Sequence, residues 1–195
     1  GRIFPPLSGK RNAVFVGSHK KWTPDLIATV EKFCEANNAV VLCDHTSNYQ
    51  GKYRIPYALV IEQAALNRAN IPAYDVDVLI HIGEVTGEEG APRMIKSKET
   101  WRVSEDGEIR DYFKIMSHVF EMPEISFFGH YSRTDEIETS YYNECLDVFR
   151  HYEGIRDTRI DEMPFSNSWI AQRIAPQIPE NTTVVLSILN TLRTT

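Results

Sequence analysis

A run of apolar residues in the middle of the chain constrains the fold more than any other feature. The segment Val76–Thr86 reads VDVLIHIGEVT, and five of its first seven residues are apolar and mostly branched. Such a run, followed at once by Gly83, is typical of a strand buried on both faces of a parallel sheet. We therefore expect a central strand here, with the working crevice at the polar loop that follows it.

Strand-like and helix-like segments alternate along the first two thirds of the chain. Thr23-Pro24 predicts an N-cap followed by proline at the first helical position. The alternation predicts an α/β fold: a Rossmann-like, doubly wound, mostly parallel sheet of five to six strands with helices on both faces. Besides the central strand, the expected strands are Ala13–Val16, Ala39–Cys43, Thr100–Val103 and Ser117–Glu121; the expected helices run from the Thr23 cap to Glu35 and over Tyr57–Asn67, Glu88–Ser97 and Pro123–Tyr131, with a short helical turn at Ile109–Lys114.

Composition shifts divide the chain into four parts. Residues 1–12 are expected to form a linker and residues 13–133 the Rossmann-like domain. Residues 134–163 are expected to be a linker with one helix, Tyr141–Tyr152, and a loop after it. Residues 164–195 read as the start of another α/β domain, with a helix at Trp169–Gln177 and a strand at Thr182–Leu189. Because the chain lacks an initial Met and stops after a strand-like run, we expect a piece of a longer protein.

Charge and cysteine content narrow the possible partners. The net charge of −6 argues against nucleic acid as a partner. No apolar run approaches the roughly 18 residues of a membrane span, and no signal peptide is recognisable. Cys34, Cys43 and Cys145 form no CxxC motif, which fits buried thiols in a reducing cytoplasm.

The turn after the first strand departs from the dinucleotide-binding pattern. A dinucleotide fold places G-x-G-x-x-G here so that the backbone can approach a pyrophosphate. Only Gly17 is present, so NAD or FAD binding is disfavoured. Lys20 and Lys21 could hold an anion, or they could belong to a solvated loop.

Three other polar segments each have two readings. Asp44–Lys52 could contact a ligand or a neighbouring domain, or form a hydrogen-bonded turn. His81 and Glu84 have the spacing of metal ligands on a helix, but a core histidine is the alternative on a strand. The acidic turn Ser104–Glu108 could bond ribose hydroxyls or be a plain turn. Since no nucleophile elbow, P-loop or zinc spacing occurs, the residues alone predict an α/β domain with no catalytic, cofactor-binding or metal-binding residue.

Four segments together resemble one known family. They are VVLCDHTSNYQGKY, DVLIHIGEVTG, WRVSEDGEIRDYF and the tail Pro164–Arg193. The resemblance is to the thiamine-diphosphate-dependent decarboxylases and synthases, and within them to the menaquinone-biosynthesis synthases that make 2-succinyl-5-enolpyruvyl-6-hydroxy-3-cyclohexene-1-carboxylate. It implies that residues 10–133 are the central domain and that residues 140–195 are a linker and the opening of the diphosphate-binding domain.

The resemblance also implies what lies outside the chain. The catalytic glutamate of the family belongs to an N-terminal domain, and its Gly-Asp-Gly…Asn motif for Mg²⁺ lies further into the C-terminal domain. The isolated segment is therefore expected to be inactive. Thiamine diphosphate and Mg²⁺ are expected in the intact parent, as are the missing catalytic domains and a homodimer or homotetramer.

Substrate-binding residues follow from the resemblance at two places. Asn190, Thr191 and Arg193 are similar to an Asn-Ser…Arg pattern in the diphosphate domain, with the arginine two residues earlier. Thr86-Gly87 is followed by Glu88 and Glu89, where the synthases carry a basic pair for substrate carboxylates. Lys20, Lys21, Lys52 or Arg93 could replace that pair. The alternative function is a stand-alone Rossmann-like module that binds a nucleotide or an anion.

Overall fold

The chain folds into two compact units, Gly1–Arg150 and His151–Thr195. The structure is a computed structural model, and it describes residues 4–7, 9–85, 90–132 and 137–185.

The first unit is built on a six-stranded sheet in which every pairing is parallel. The strand order is β3-β2-β1-β4-β5-β6, so the direction of winding reverses between β1 and β4. The buried central strand predicted from VDVLIHI is β4, between β1 and β5. The α/β, doubly wound fold is therefore confirmed. The strands are β1 (Asn12–Val16), β2 (Ala39–Cys43), β3 (Arg54–Pro56), β4 (Asp75–Ile82), β5 (Lys96–Ser104) and β6 (Met116–Glu121).

Helix α1 (Pro24–Ala36) begins where the sequence predicts. The Thr23 hydroxyl accepts a hydrogen bond from the Leu26 backbone N–H at 3.2 Å, and Pro24 occupies the first turn without needing a partner for its nitrogen. Leu26, Val30, Phe33 and Cys34 form its buried face.

Helices cover both faces of the sheet. On one face α1 packs with α4 (Glu124–Tyr131), where the rings of Phe33 and Phe128 lie 5.1 Å apart. On the opposite face α2 (Tyr57–Leu66) begins with Tyr57, whose ring lies 5.3 Å from Phe15 of β1. A core between α1, α4 and the sheet includes Val14, Val41, Ile80, Trp101 and Phe127.

Two expectations between β4 and β6 are wrong. Of the expected helix at 88–97, residues 88 and 89 lie outside the described residues, only Ala91–Met94 forms a short helix, α3, and Lys96 already opens β5. The polar start of β5 is extended because it pairs with β4, Asp75 with Lys96 and Val76 with Ser97. Residues 109–114 contain a turn at 112–114 and no helix. There the Asp111 carboxylate accepts the backbone N–H groups of Ile115 and Met116 at 3.0 and 3.1 Å.

The last third differs more from expectation. Helix α5 spans Ser140–Ile160, so the loop expected from Gly154 is helical up to Ile160. Within the second unit, Ser166 caps α6 (Asn167–Ile174), and its hydroxyl accepts the Trp169 N–H at 3.2 Å. The described residues of the expected last strand, Thr182–Val185, are not in a strand, and residues 186–189 lie outside the described part.

All three cysteines are buried and free, as expected for small core residues. Burial raises the pKa of the Cys43 thiol to about 12, and that of Cys145 to about 12 as well. Among the described residues, none of the helices has the length and apolar character needed to span a membrane.

Candidate functional site

The carboxyl edge of the sheet is the place to look for chemistry, because the polar loops after the parallel strands all leave from that edge. The loop after β1 begins at Gly17, that after β2 at Asp44, that after β4 at Gly83 and that after β5 at Glu105. The contacts of these loops show where the chain fills the edge itself and where polar groups are left for a ligand.

The crevice between β1 and β4 is closed by backbone. The Gly17 N–H donates to the Ile82 carbonyl at 3.0 Å, and the Glu84 N–H donates to the Ser18 carbonyl at 2.7 Å. A Cβ atom at Gly17 would lie 1.8 Å from the Glu84 carbonyl oxygen. The position at which a dinucleotide fold brings its glycine turn to a pyrophosphate is therefore filled by the loop after β4.

The loop after β2 is a hydrogen-bonded turn, as one of its two readings predicts. The Asp44 carboxylate accepts the Thr46 N–H at 2.7 Å and the Thr46 hydroxyl at 2.6 Å. The Ser47 hydroxyl donates to the Val16 carbonyl at 2.6 Å and accepts the Asp44 N–H at 3.0 Å. Ser47 is fully buried, so its bonds fix this turn against the end of β1.

Lys20 and Lys21 are exposed, which fits the solvated-loop reading. The Lys20 ammonium lies 3.1 Å from a Glu105 carboxylate oxygen. Beside them, the buried His19 ring contacts a Glu124 carboxylate oxygen at 2.9 Å through Nε2 and stacks on Trp22 with 4.1 Å between ring centroids. The loop after β1 is thereby attached to the start of α4.

The acidic turn after β5 is also satisfied by its own chain. Asp106 accepts the Glu108 N–H at 3.1 Å, which lowers the pKa of the Asp106 carboxyl. Arg110 forms ion pairs with Glu84 and with Glu108, the second at 2.6 Å, and so links the loops after β4 and β5. Because Asp106 and Glu108 are already bonded to groups of the chain, the turn is better explained as a plain turn than as a ribose-binding one.

A different arrangement lies where β4 meets β5. His81 and Arg102 are register partners on these strands, so their side chains share one face of the sheet, and each residue is only 2 % exposed. Arg102 Nη1 donates to the Gly83 carbonyl at 2.6 Å and to the His81 carbonyl at 3.4 Å. His81 Nε2 and Arg102 Nε are buried and have no hydrogen-bond partner among the described residues.

The protonation of this pair follows from burial. Desolvation, and next the positive charge of Arg102, lowers the pKa of the His81 imidazole to about 3, so the ring is neutral at neutral pH. Desolvation also lowers the pKa of Arg102, but a guanidinium stays charged. The pair therefore consists of a buried cation beside a neutral imidazole.

Metal binding by His81 is the reading that the fold does not support. The ring is buried in the core, as the alternative predicts, and the described residues contain no group of three His, Cys, Asp or Glu side chains suited to a metal ion. The described part of the chain thus offers no fit to Mg²⁺, or to a diphosphate held through that ion.

The structure describes one of the six residues expected to bind substrate. Arg93 is exposed on α3. The other five lie outside the described residues; they are Glu88, Glu89, Asn190, Thr191 and Arg193.

Sequence reasoning did not single out Arg102. One signal was available: Trp101-Arg102-Val103 places a cation inside the expected strand Thr100–Val103, between two large apolar residues. A charge within a short buried strand must be paired or serve a purpose, since burying it alone is costly.

Comparison with known proteins adds no assignment. No model of a known protein family matches the chain, and a search among curated proteins found no similar sequence.

Proposed function

We propose that this chain is the central, mainly structural domain of a thiamine-diphosphate-dependent enzyme. The parent would be a cytoplasmic 2-oxo-acid decarboxylase or C–C bond-forming transferase similar to the 2-succinyl-5-enolpyruvyl-6-hydroxy-3-cyclohexene-1-carboxylate synthases. The proposal rests on the resemblance of four segments, whose order and spacing run from Val40 to Arg193.

One structural observation supports a structural role over a cofactor-binding one. The β1–β4 crevice is filled by the backbone of Glu84, which approaches the Gly17 turn too closely for even a Cβ atom. A Rossmann-like sheet that binds a nucleotide needs that space for the pyrophosphate. The alternative of a stand-alone nucleotide-binding module is disfavoured for the same reason.

The cofactor would be held elsewhere in the parent. In this proposal thiamine diphosphate supplies the ylid that attacks the 2-oxo acid, and domains on either side of this segment hold it with Mg²⁺. The central domain then positions those domains, and a homodimer or homotetramer completes the active site.

Calorimetry tests whether the cofactor is held outside this domain. The 195-residue chain titrated with thiamine diphosphate and MgCl₂ should give no binding heat, whereas the intact parent should bind and decarboxylate a 2-oxo acid. Micromolar binding by the isolated chain would place the cofactor site inside it, and a parent without thiamine-dependent activity would refute the family assignment.

The substrate is a separate part of the proposal. Glu88 and Glu89 would repel the carboxylates of the menaquinone-pathway acceptor by about 1–4 kcal/mol per close pair, depending on exposure. We therefore expect the parent to use the same ylid chemistry on a less anionic acceptor. An assay of the parent with 2-oxoglutarate and isochorismate decides this, because turnover at a rate normal for the pathway would mean that both side chains point away from the substrate.

A further inference from the structure

The first described segment of the chain has little conformational freedom. Phe4 and Pro5 each precede a proline, which biases both toward extended, polyproline-II backbone, and the rings of Pro5 and Pro6 fix φ at about −65°. Residues 4–7 belong to neither a helix nor a strand. A segment of this kind loses little conformational entropy when it binds to a surface.

Phe4 is surrounded by aromatic side chains of β6 and α4. Its ring stacks on His130 with 3.9 Å between ring centroids and with the two planes 23° apart. It also lies 6.0 Å from the ring of Phe120 and 6.0 Å from that of Tyr131, which it meets edge-on. We call Phe120, His130 and Tyr131 the aromatic groove, and the Phe4 side chain fills it.

One hydrogen bond adds direction to these ring contacts. The Tyr131 hydroxyl donates to the Pro5 carbonyl at 2.8 Å. Burial raises the pKa of the Tyr131 hydroxyl to about 12, so the group remains a donor at neutral pH. The groove therefore contacts both an aromatic side chain and the backbone carbonyl that follows it. Aromatic-lined grooves are the sites at which proteins bind proline-rich segments.

The aromatic groove is anchored in the core by contacts that do not involve residues 4–7. The Tyr131 ring lies 5.1 Å from Phe127 and 5.8 Å from Trp101, both of them buried, and the Phe120 ring lies 4.9 Å from Phe127. The Asn37 side-chain amide donates to the Tyr131 carbonyl at 2.9 Å and so fixes the end of α4 to the end of α1. A groove positioned in this way is formed before its occupant arrives.

We propose that the aromatic groove is a peptide-binding site for a Phe-Pro-Pro segment, and that residues 4–7 are its displaceable occupant. The groove binds this segment from its own chain or from a second copy of the chain. Because its own segment is tethered, at an effective concentration on the order of millimolar, that segment excludes others until it leaves. The site does not depend on the proposed thiamine-diphosphate function.

Fluorescence polarisation tests whether the groove binds the segment from a separate molecule. The probe is a fluorescein-labelled peptide of residues 3–8, IFPPLS. The receptor is the full chain with Phe4→Ala, which weakens its own segment and leaves the groove intact. We expect saturable binding, roughly ten times tighter or more than to the wild-type chain, whose own segment competes. Absence of binding to Phe4→Ala, or equal binding to both chains, would overturn the proposal.

Peptide variants separate the two parts of the recognised pattern. The peptide IAPPLS lacks the aromatic ring and should not bind measurably. The peptide IFAALS keeps the ring but has a flexible backbone that must be ordered on binding, so it should bind roughly 10-fold more weakly than IFPPLS. Equal affinities for IAPPLS and IFPPLS would contradict the proposal, because the groove would then not recognise the aromatic side chain.

Two variants of the groove locate the bound peptide. In the Phe4→Ala chain, Tyr131→Phe removes only the hydroxyl donor, and His130→Ala removes the half-buried ring on which Phe4 stacks. Each should weaken peptide binding roughly 3- to 10-fold, as expected for the loss of one hydrogen bond or one ring pair. Tyr142→Phe, which removes a hydroxyl from a partly buried ring on α5, is the matched control and should bind normally. If Tyr131→Phe does not fold, unchanged peptide affinity in His130→Ala still refutes the site.

Discussion

The β1–β4 crevice and the β4–β5 junction are neighbours at the carboxyl edge of the sheet, and they differ in how fully their polar groups are hydrogen-bonded. Between β1 and β4 the chain occupies its own crevice, and the backbone N–H groups of Gly17, Ser18 and Glu84 all donate to carbonyls at the end of β4 or in the two loops. Between β4 and β5, His81 and Arg102 each keep a buried polar atom with no partner among the described residues. Burying a polar atom without a hydrogen-bond partner lowers stability, so such atoms are rare in folded proteins. The bonded β1–β4 crevice is therefore structural, and the β4–β5 junction with its unbonded atoms is the candidate site.

The largest expected effect is on the closed crevice. Gly17→Ala would push a Cβ atom into the Glu84 carbonyl, and neither backbone can move without breaking the bonds between the two loops. We expect a loss of about 3 kcal/mol or more in the free energy of unfolding, measured by urea denaturation. Gly129→Ala on α4 is the control. Its Cβ would meet only Thr29 at 3.9 Å, and it should gain up to about 1 kcal/mol. Equal stabilities for the two variants would mean that the crevice is open in solution.

Acid should lower the free energy of unfolding through His81 at the β4–β5 junction. The pKa of its imidazole is lowered to about 3 in the folded chain, so only the unfolded chain binds this proton as the pH falls below about 6.5. The stability that the neutral ring contributes is therefore complete above pH 6.5 and is lost at about 1.4 kcal/mol per pH unit on acidification. Between pH 6.5 and about pH 4.5 the wild-type chain should lose about 2–3 kcal/mol more than His81→Phe. Parallel pH profiles would show that His81 is not buried as a neutral ring.

Ser47 tests the turn beside the closed crevice. Ser47→Ala removes the donor to the Val16 carbonyl and the acceptor for the Asp44 N–H, and leaves both groups buried. We expect a loss of about 1–3 kcal/mol in urea denaturation. Ser126→Ala, at an exposed position in α4, should stay within about 0.5 kcal/mol of the wild type. A loss as small as in Ser126→Ala would show that water reaches the turn.

The smallest effect is expected at the ion pairs that link the two crevices. Arg110 pairs with Glu84 and Glu108 at the surface, where solvent screens both interactions. Arg110→Ala should therefore cost about 1 kcal/mol or less, and the difference from wild type should shrink in high salt. A loss of several kcal/mol that is insensitive to salt would mean that Arg110 supports the Arg102 site directly.

The elements predicted correctly from the sequence are those with a local signal. The Thr23-Pro24 cap and the buried face of α1 specify that helix, and the VDVLIHI run specifies β4. Where pairing or distant contacts decide, the sequence misleads. Lys96–Glu99 has no strand-like pattern and is extended only because it pairs with β4. The second half of α5 lacks an apolar face, which is why periodicity missed it, yet Arg156 pairs with Glu153 one turn away.

The candidate site could be predicted only in part. The core position of His81 follows from its place in an apolar strand. That Arg102 would be its register partner, with one nitrogen unbonded, depends on the register between β4 and β5, which no local pattern encodes. The expected substrate residues remain a prediction, because five of the six lie outside the described residues.

The most direct test of the comparison is a calorimetric titration of the chain with NAD and with FAD. We expect no binding heat for either cofactor, because the backbone of Glu84 occupies the space that a pyrophosphate would need at the Gly17 turn. Micromolar binding of either one would contradict it, since the β1–β4 crevice would then have to open and serve as the cofactor site of this domain.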